Sequence, residues 1–543
     1  MRNWKVMTLF TTAVLTLTLA TIPVSLLADD DDDDDDGDDI GEISEELQEA
    51  VRVGKVRTHQ AAFQTFADAT DGTRFSGFDG YNLSADYVAG LLEDAGYDVT
   101  RQSFELMSTR KLGPSNLEQL TPAGVIYEED VDFNVMSETD PGDVSGPATA
   151  VDLDLGPAGD GLGNSSTSGC EAADFTGFPG GNIALMQRGA CSFQQKAENA
   201  AGAGAVGAII FNQGNTEDRR GLINGTLSAD YSGGIPVFFA TFDRGLEWAG
   251  TAGLALGQFA NVFRGIVTTS NVIADSRTGD PNNIVVSGAH LDSVDEGPGI
   301  QDNGSGSAAI LELALQLADE FEVNERDDDD DDDDNGLRNR VRFAWWGAEE
   351  SGLVGSDFYV LGLSDEERNK IRMYLNYDMV GSPNFARFIY DGDGSGFGLA
   401  GPAGSAAIEA LFEDYFARQR LPTEPTEISF RSDYAAFFDA GIPFGGLFTG
   451  AEGIKTEEQV ALYGGTPGDQ YDPCYHLACD TFDNISLTAL RQNSKAAAHA
   501  LAVYAFSDLD QALADAASMA TTLRALSAVS AAGPEQRGGK FLR

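Results

Sequence analysis

The chain has 543 residues, enough for two or three domains, and 42 % of them are hydrophobic, an ordinary share for a folded soluble protein. Its 87 acidic residues outnumber its 34 basic residues, so the formal net charge is -53. Two runs of eight aspartates, residues 29–36 and 327–334, account for part of this excess. Nucleic-acid binding needs basic surface, so no nucleic-acid partner is expected. A solvated acidic surface is the simplest interpretation of the charge.

The N-terminus has the pattern of a secretion signal. Arg2 and Lys5 precede an apolar stretch over residues 6–27, and the small residue Ala28 follows it. We therefore expect a signal peptide over residues 1–28 and a secreted protein, either extracellular or periplasmic. An uncleaved membrane anchor is the alternative, but Pro23 and the threonines of the stretch weaken it as a span. No other segment is apolar enough to cross a bilayer, so no membrane span is expected after cleavage.

The four cysteines form two local pairs in the sequence. In an exported protein this favours two disulfides, Cys170–Cys191 and Cys474–Cys479. The second pair flanks His476, so a metal site with thiolate ligands is the alternative reading there.

The first 132 residues change from an acidic segment to a helical and then a strand pattern. Residues 29–45 are acidic and of low complexity, and we predict that they are disordered. Helical patterning begins near Glu45, a second helix fits residues 84–95, and a strand fits residues 99–104. We assign residues 46–132 to the first part of the main domain.

Residues 133–267 have a different texture, rich in glycine, alanine and short β-like runs. Residues 183–186 and 208–211 are predicted buried strands, and residues 191–201 between them fit a helix. The segment has none of the histidine or paired-carboxylate clusters found later in the chain. It is therefore predicted to be an inserted module.

Residues 268–508 alternate strand and helix and are assigned to the second part of the main domain. Predicted strands cover residues 284–286, 341–346 and 374–379, and a helix with an apolar face covers residues 304–322. This alternation predicts an α/β domain with a mixed, mostly parallel central sheet flanked by helices. Parallel sheets place their ligand sites at the carboxyl ends of strands.

Two further segments are assigned by composition. The second aspartate run lies in a surface connection, residues 325–338, where a charged loop is tolerated. Eight consecutive aspartates lack the spaced ligands and the turn glycine of a calcium site, so calcium binding there is an alternative without support. Residues 509–543 form an alanine-rich C-terminal tail.

Side chains able to bind a metal follow the predicted strands. His59 and His499 lie in helical, alanine-rich surroundings and are interpreted as structural or surface residues. His290 directly follows a strand, and Asp292 is placed to orient its imidazole ring. Further acidic and histidine side chains follow strands or lie in loops: Asp302, Glu349, Glu350, Asp378 and His476. Imidazole and carboxylate ligands suit zinc, and one carboxylate can bridge two metal ions.

The five motifs that carry these residues resemble, in their order, the M28 family of co-catalytic zinc aminopeptidases, especially the secreted bacterial leucine-type enzymes. The motifs are 288–293, 299–306, 345–352, 376–379 and 474–476, and the resemblance covers most of residues 50–130 and 268–508. It implies the zinc exopeptidase fold and two zinc ions per chain. One position departs from the family, because Asn303 stands where an aspartate is common.

The resemblance also implies a role for each matching residue. His290 and Asp378 match the ligands of one zinc, Glu350 and His476 match those of the other, and Asp302 matches the bridging ligand. Three further matches are a general base, a hydroxyl that stabilises the tetrahedral intermediate, and a substrate contact: Glu349, Tyr475 and Arg431.

The inserted segment resembles a protease-associated (PA) domain. The resemblance lies in residues 188–193, 196–201 and 205–212. Such domains are thought to bind peptide or to cover the active site, and a passive spacer is the alternative role.

The resemblance implies a secreted metallo-aminopeptidase that removes N-terminal, apolar residues from peptides with a free N-terminus. A carboxypeptidase or another exopeptidase on the same scaffold is the alternative, and it would need a cation such as Arg431 to hold a substrate carboxylate. A glutaminyl cyclase of this fold would use one zinc, which the complete ligand set disfavours. A non-catalytic binding protein or an acidic calcium-loaded protein would leave the ligand motifs unexplained.

Overall fold

A computed structural model of the protein describes residues 35–516 and 518, except 229, 322 and 324–335. The predicted signal peptide, most of the first aspartate run, the second run and residues 519–543 of the tail lie outside the described residues. Within the described part, the chain forms two eight-stranded sheets. No helix in that part combines the length and the apolar character that a bilayer crossing needs.

The helices of the described chain are, in order, α1 Asp35–Ala50, α2 Val53–Ala69, α3 Asp79–Asp94, α4 Phe193–Gly202, α5 Phe242–Gly250, α6 Gly304–Glu320, α7 Val354–Gly362, α8 Asp365–Arg368, α9 Ser405–Arg418, α10 Tyr434–Asp439, α11 Glu457–Tyr463 and α12 Leu487–Phe506. The strands are β1 Asp98–Lys111, β2 Asn116–Thr121, β3 Val125–Tyr127, β4 Phe133–Val135, β5 Gly142–Ala150, β6 Ile183–Gln187, β7 Gly207–Phe211, β8 Val237–Ala240, β9 Ala255–Ala260, β10 Val262–Asp275, β11 Asp280–His290, β12 Asn339–Trp346, β13 Ile371–Tyr377, β14 Phe388–Tyr390, β15 Glu424–Thr426 and β16 Phe444–Phe448.

The first sheet is mixed, with the strand order β1-β10-β12-β11-β13-β16-β14-β15. Its central strands β12, β11, β13 and β16 run parallel. Val285 of β11 packs into a core with α1, α2, α6 and α12, whereas Ile284 and Val286 pack into a second core with α7 and α10. Helices therefore cover both faces of the sheet, which is why β11 is buried without interruption from Ile284 to His290. This confirms the predicted fold class.

The second sheet has the order β3-β2-β9-β5-β6-β7-β8-β4. Strands β5 to β8 pair in parallel, and α4 packs on β7. The long antiparallel pair of β1 and β10 belongs to the first sheet and flanks this module in the sequence. The module therefore leaves and rejoins the main domain through adjacent strands.

The module boundaries differ from the sequence prediction. Its sheet begins at Asn116 and ends at Ala260, whereas the predicted range was 133–267. Strands β2 and β3 contain no glycine and lack the glycine-rich texture that marked the rest of the module. Residues 262–275 instead form β10, which pairs with β1 in the first sheet. Because β1 lies far away in the sequence, no local pattern predicts this pairing.

The prediction of disorder over residues 29–45 is wrong from Asp35 onward, where α1 begins. Leu47 of this helix is fully buried, and Ile43 packs against the same core. The Ser44 hydroxyl and His499 Nδ1 of α12 lie 2.8 Å apart in a hydrogen bond. Packing on α12 therefore stabilises a helix whose acidic composition alone disfavours it.

Both predicted disulfides are present, Cys170–Cys191 in the inserted module and Cys474–Cys479 in the main domain. Since all four cysteines are paired, the alternative of a thiolate metal site at residues 474–479 does not hold.

Candidate metal centre

Three neighbouring parallel strands end at one edge of the first sheet. His290 is the last residue of β11, and it lies opposite Trp346, the last residue of β12. Glu349 and Glu350 follow β12 in a short turn, and Asp378 directly follows β13. The carboxyl ends of parallel strands thus gather these side chains, as expected for an open α/β sheet.

Asp302 lies between two histidines that are far apart in the sequence. Its Oδ1 is 3.2 Å from His290 Nε2, and its Oδ2 is 3.2 Å from His476 Nε2. His290 is 1 % exposed and Asp302 is 5 % exposed. One carboxylate therefore presents a separate oxygen to each imidazole.

Each histidine has a further carboxylate beside it. Asp378 Oδ1 lies 3.3 Å from His290 Nε2, and Glu350 Oε2 lies 3.1 Å from His476 Nε2. Glu349 Oε2 lies 3.8 Å from His290 Nε2. The structure thus brings together all six side chains that the sequence motifs proposed as ligands or base.

Asp292 contacts both the His290 ring and the turn that carries Glu349 and Glu350. Its carboxylate accepts hydrogen bonds from the backbone N–H groups of Glu349 and Glu350, at 3.2 and 3.3 Å. His290 Nδ1 lies 3.3 Å from the Asp292 carbonyl oxygen and 3.6 Å from the nearer carboxylate oxygen. The Asp292 carboxylate therefore holds the acidic turn and also lies beside the imidazole ring, to which the Asp292 carbonyl oxygen is somewhat nearer.

Two supporting residues were missed by sequence reasoning. Asp480 accepts hydrogen bonds from the N–H groups of Gln301 and Asp302, at 2.8 and 2.9 Å. The Ser432 hydroxyl donates to Asp378 Oδ2 at 2.7 Å. Asp480 directly follows a predicted disulfide cysteine and Ser432 directly follows Arg431, but neither position shows which ligand it supports.

Backbone conformations at the cluster are unusual for residues with side chains. Ala348, which precedes the acidic pair, has φ 59°, Met379 has φ 52°, and His476 itself has φ 56°. Such left-handed conformations are uncommon outside glycine and concentrate at functional sites. The turns that carry the ligands are therefore held by the surrounding fold rather than by local preference.

Asn303, the departure from the family pattern, caps α6 and ties it to the loop of Asp378. Its Oδ1 accepts from the N–H groups of Gly306 and Met379, at 2.9 and 3.1 Å. Its Nδ2 donates to the Tyr377 carbonyl oxygen at 2.9 Å. An ionised aspartate could not make this last contact, because it has no proton to donate.

Tyr475 and Arg431 lie at the rim of the cluster. The Tyr475 ring stacks on His476 with 3.8 Å between ring centroids. Arg431 donates to the Tyr475 hydroxyl at 3.1 Å and forms an ion pair with Glu452 at 2.7 Å. The arginine side chain is 58 % exposed, so its charge is both solvated and paired.

Electrostatics at the cluster reflect many buried acids. Burial raises the pKa of Glu350 to about 7, with Asp302 adding to the effect. Burial also raises the pKa of Asp433, next to Ser432, to about 8, against the opposing effect of His290. Burial alone would lower the pKa of His290, but the carboxylates of Glu349 and Asp378 raise it well above its usual value. The buried carboxylates of the cluster therefore favour the binding of a cation.

The donor set fits metal binding. Two groups have ligand atoms within 4.8 Å of one another, one formed by His290, Asp302 and Glu350 and one by His290, Glu349 and Asp378. Glu350 Oε1 and Asp378 Oδ1 are buried without a hydrogen-bond partner, although buried carboxylates normally have one. Oxygens left in this way are available as ligands for a cation.

Two family models match the chain: "Peptidase family M28" over residues 271–501 and "PA domain" over residues 124–248. An aminopeptidase of Pseudomonas aeruginosa (strain UCBPP-PA14) is 55 % identical over 435 residues, which cover 80 % of this chain and 77 % of the relative. The chain belongs to peptidase family M28. It is therefore an enzyme that hydrolyses peptide bonds, and its inserted module is a PA domain, as the sequence motifs predicted.

Other comparisons show that this M28 peptidase is similar to known aminopeptidases over most of its chain. Leucine aminopeptidase 2 of Trichophyton equinum is 39 % identical over 471 residues, covering 85 % of this chain and 86 % of the relative. The solved structure of an aminopeptidase from Aneurinibacillus sp. strain AM-1 matches with a TM-score of 0.58 and 25 % identity, covering 84 % of this chain and 95 % of that one. The similarity thus reaches beyond either family model alone.

Proposed function

We propose that this M28 peptidase is a secreted aminopeptidase that uses two zinc ions to remove N-terminal, apolar residues from peptides. The observation that carries the proposal is the position of Asp302, whose two carboxylate oxygens each lie 3.2 Å from a different histidine. A carboxylate shared between two ligand sets is the arrangement that a two-metal hydrolase needs.

The contacts of Asp302 and of the two histidines support the proposed ligand sets. His290 and Asp378 belong to one set, Glu350 and His476 to the other, and Asp302 is shared. Nitrogen and carboxylate ligands together favour zinc over calcium or magnesium, which prefer oxygen alone. Zinc bound there would act as a Lewis acid and lower the pKa of a bound water to about 7.

Glu349 is the proposed general base. It is 9 % exposed and its Oε2 lies 3.8 Å from His290 Nε2, so it faces the cluster without belonging to the shared-carboxylate arrangement. It accepts a proton from the attacking water and passes that proton to the leaving amine. Asp292 holds its backbone and so fixes the direction of the carboxylate.

The rim residues have roles in substrate binding. The Tyr475 hydroxyl, held by Arg431, is proposed to donate a hydrogen bond to the oxyanion that develops at the scissile carbonyl. Phe430 and Leu477, the neighbours of Arg431 and His476, are 40 % and 51 % exposed and provide apolar surface beside them. This surface, together with the leucine aminopeptidase names of the fungal relatives, supports a preference for apolar N-terminal residues.

The charge distribution supports an aminopeptidase rather than a carboxypeptidase. A substrate ammonium group is attracted by the excess of carboxylates at the cluster. Arg431, the cation that a carboxypeptidase could use, is instead paired with Glu452. The two disulfides support export to an oxidising compartment.

The test is a comparison of leucine p-nitroanilide with its N-acetylated counterpart. Purified mature protein would be assayed as isolated, after removal of metal by a chelator, and after zinc is restored. We expect cleavage of the free-amine substrate alone, with loss on chelation and recovery with zinc. Equal cleavage of the acetylated substrate would contradict the aminopeptidase proposal, and full activity after complete metal removal would contradict the zinc proposal.

A further inference from the structure

A second acidic cluster lies on the same sheet, in the loop that follows β14. This loop, residues 391–396, reads Asp-Gly-Asp-Gly-Ser-Gly. Oxygen-bearing side chains alternate at Asp391, Asp393 and Ser395, and Gly396 follows them. The first half of an EF-hand calcium loop has this spacing, with ligands at positions 1, 3 and 5 and a glycine at position 6 for the sharp turn.

The fold adds a third carboxylate to the loop. Ligand atoms of Asp391, Asp393 and Glu409 of α9 lie within 4.8 Å of one another. Asp391 is 0 % exposed and Glu409 is 4 % exposed. The Asp393 N–H donates to Glu409 Oε2 at 3.0 Å, which fixes the loop against the helix.

Asp391 has one oxygen without a partner. Its Oδ2 accepts from the N–H groups of Gly396 and Phe397, at 3.0 and 2.8 Å. Its Oδ1 is buried and makes no hydrogen bond. Leaving a buried carboxylate oxygen unsatisfied is costly, so this atom indicates a missing ligand.

The two most deeply buried acids of the cluster, Asp391 and Glu409, lie in an acidic environment. Among the described residues, no lysine, arginine or histidine forms an ion pair with Asp391 or Glu409, whereas Glu413 adds another acid nearby. Burial, and then the charges of Glu413 and Asp391, raise the pKa of Glu409 to about 8. A cation would remove this repulsion.

We propose that Asp391, Asp393 and Glu409 bind a calcium ion. The side-chain donors are all oxygens, with neither imidazole nor thiolate, which selects a hard cation rather than zinc. Calcium accepts six to eight oxygen ligands in flexible geometry, and loop carbonyls, the Ser395 hydroxyl and water can complete its shell. The site is separate from the proposed zinc centre, and the inference does not depend on the proposed function.

The site is expected to stabilise the sheet more than to affect catalysis. Tyr390 precedes the loop, and Asn376 donates to its hydroxyl at 3.3 Å and to Ser432 at 2.9 Å. Ser432 in turn contacts Asp378. These contacts join the loop to the edge that carries the proposed zinc ligands, so calcium should raise the temperature at which that edge unfolds.

The test is thermal unfolding of zinc-loaded protein with and without calcium. All metal would be removed by a chelator, zinc restored, and about 10 mM calcium chloride added, a concentration that fills sites typical of extracellular proteins. We expect the midpoint temperature of the wild-type protein to rise by about 2–5 °C. Asp393→Asn and Glu409→Gln, which keep the hydrogen-bond acceptors, should lose this rise. Glu366→Gln, a change at an exposed glutamate elsewhere, should keep it.

A matched magnesium chloride sample corrects for loose binding to the acidic surface. Glu409→Gln replaces a glutamate that is mostly protonated in the calcium-free protein with an uncharged side chain of the same shape, so the calcium-free variant should be about as stable as the calcium-free wild type. That result would separate a lost site from a damaged fold. Equilibrium dialysis should show one calcium fewer per chain in Glu409→Gln. An unchanged calcium response and unchanged stoichiometry in both site variants, or no response in the wild type, would overturn the proposal.

Discussion

The clusters around His290 and around Asp391 are built on one sheet, and each contains carboxylates from loops that follow strands. Both contain buried carboxylate oxygens without hydrogen-bond partners, Asp378 Oδ1 and Asp391 Oδ1. The first cluster adds two imidazoles, whereas the second has none. The accompanying ligand type therefore distinguishes the two proposed cations, because imidazole together with carboxylate suits zinc and oxygen ligands alone suit calcium.

The two clusters also differ in how they are held. At the first, side chains from distant elements support the ligands, as Asp480 and Ser432 do. At the second, backbone N–H groups of one short loop hold Asp391. A rigid, cross-linked site suits zinc in a reaction, and an adaptable loop suits calcium, which tolerates variable geometry.

The largest expected effect comes from Glu349→Gln. This change keeps the shape of the side chain but removes the carboxylate proposed as the base, so turnover of leucine p-nitroanilide should fall about 10²- to 10⁴-fold. Zinc content, measured by atomic absorption, should stay at the wild-type value. Near-normal turnover would remove the base assignment, and loss of zinc would make Glu349 a ligand instead.

A smaller effect is expected from Asp480→Ala. This change tests whether the ligands of the first cluster depend on a side chain from a distant part of the chain. Without its carboxylate, the N–H groups of Gln301 and Asp302 lose their acceptor, and Asp302 is less well placed. Zinc affinity should fall about 10- to 100-fold, as for other residues that orient metal ligands. Competition with a zinc-binding dye measures this change.

Asp480→Asn, which keeps one acceptor oxygen, should recover part of the zinc affinity. The calcium response of the Asp391 cluster should be the same in both variants. Equal zinc affinity in Asp480→Ala and the wild-type protein would show that Asp302 does not need this support.

A further effect is expected in the pH dependence of stability at the second cluster. The pKa of Glu409 rises from an ordinary 4.5 to about 8 in the folded, calcium-free protein. The folded state therefore holds this proton more tightly than the unfolded state does. Its contribution to stability is complete below pH 4.5 and is lost as the pH rises through 8, a loss of about 5 kcal/mol at about 1.4 kcal/mol per pKa unit.

Urea unfolding of zinc-loaded protein between pH 5 and pH 9 measures this contribution. The calcium-free wild-type protein should lose more stability than Glu409→Gln over that range. Added calcium should reduce the difference between the two proteins, because it stabilises the ionised form. Parallel pH profiles of the two calcium-free proteins would contradict the assignment.

Sequence patterns were most informative where local chemistry dominates. Apolar runs predicted β11, β12 and α6 within a few residues, and the motifs after those strands contained the ligand candidates that the structure brings together. Short strands such as β14 and β15 were not predicted, because three residues carry too little periodicity. The helix α1 was missed because its stability comes from packing against α12.

Long-range support could not be predicted for a related reason. Asp480 contacts Asp302 across 178 positions of the chain, and no local pattern specifies that contact. The loop at Asp391 was different, because its alternating oxygen ligands and Gly396 are visible in the sequence. The two long aspartate runs were considered for calcium instead, but the closing ligand Glu409 becomes apparent only in the folded chain.

Anomalous X-ray diffraction from crystals containing both zinc and calcium would test the contrast between the two clusters most directly. Data collected above and below the zinc absorption edge distinguish zinc from calcium at each position. We expect two zinc peaks, one on each side of Asp302, and at Asp391 a calcium ion without a zinc-edge signal. Zinc at Asp391, or the absence of metal between His290 and His476, would contradict the selection of each cation by ligand type.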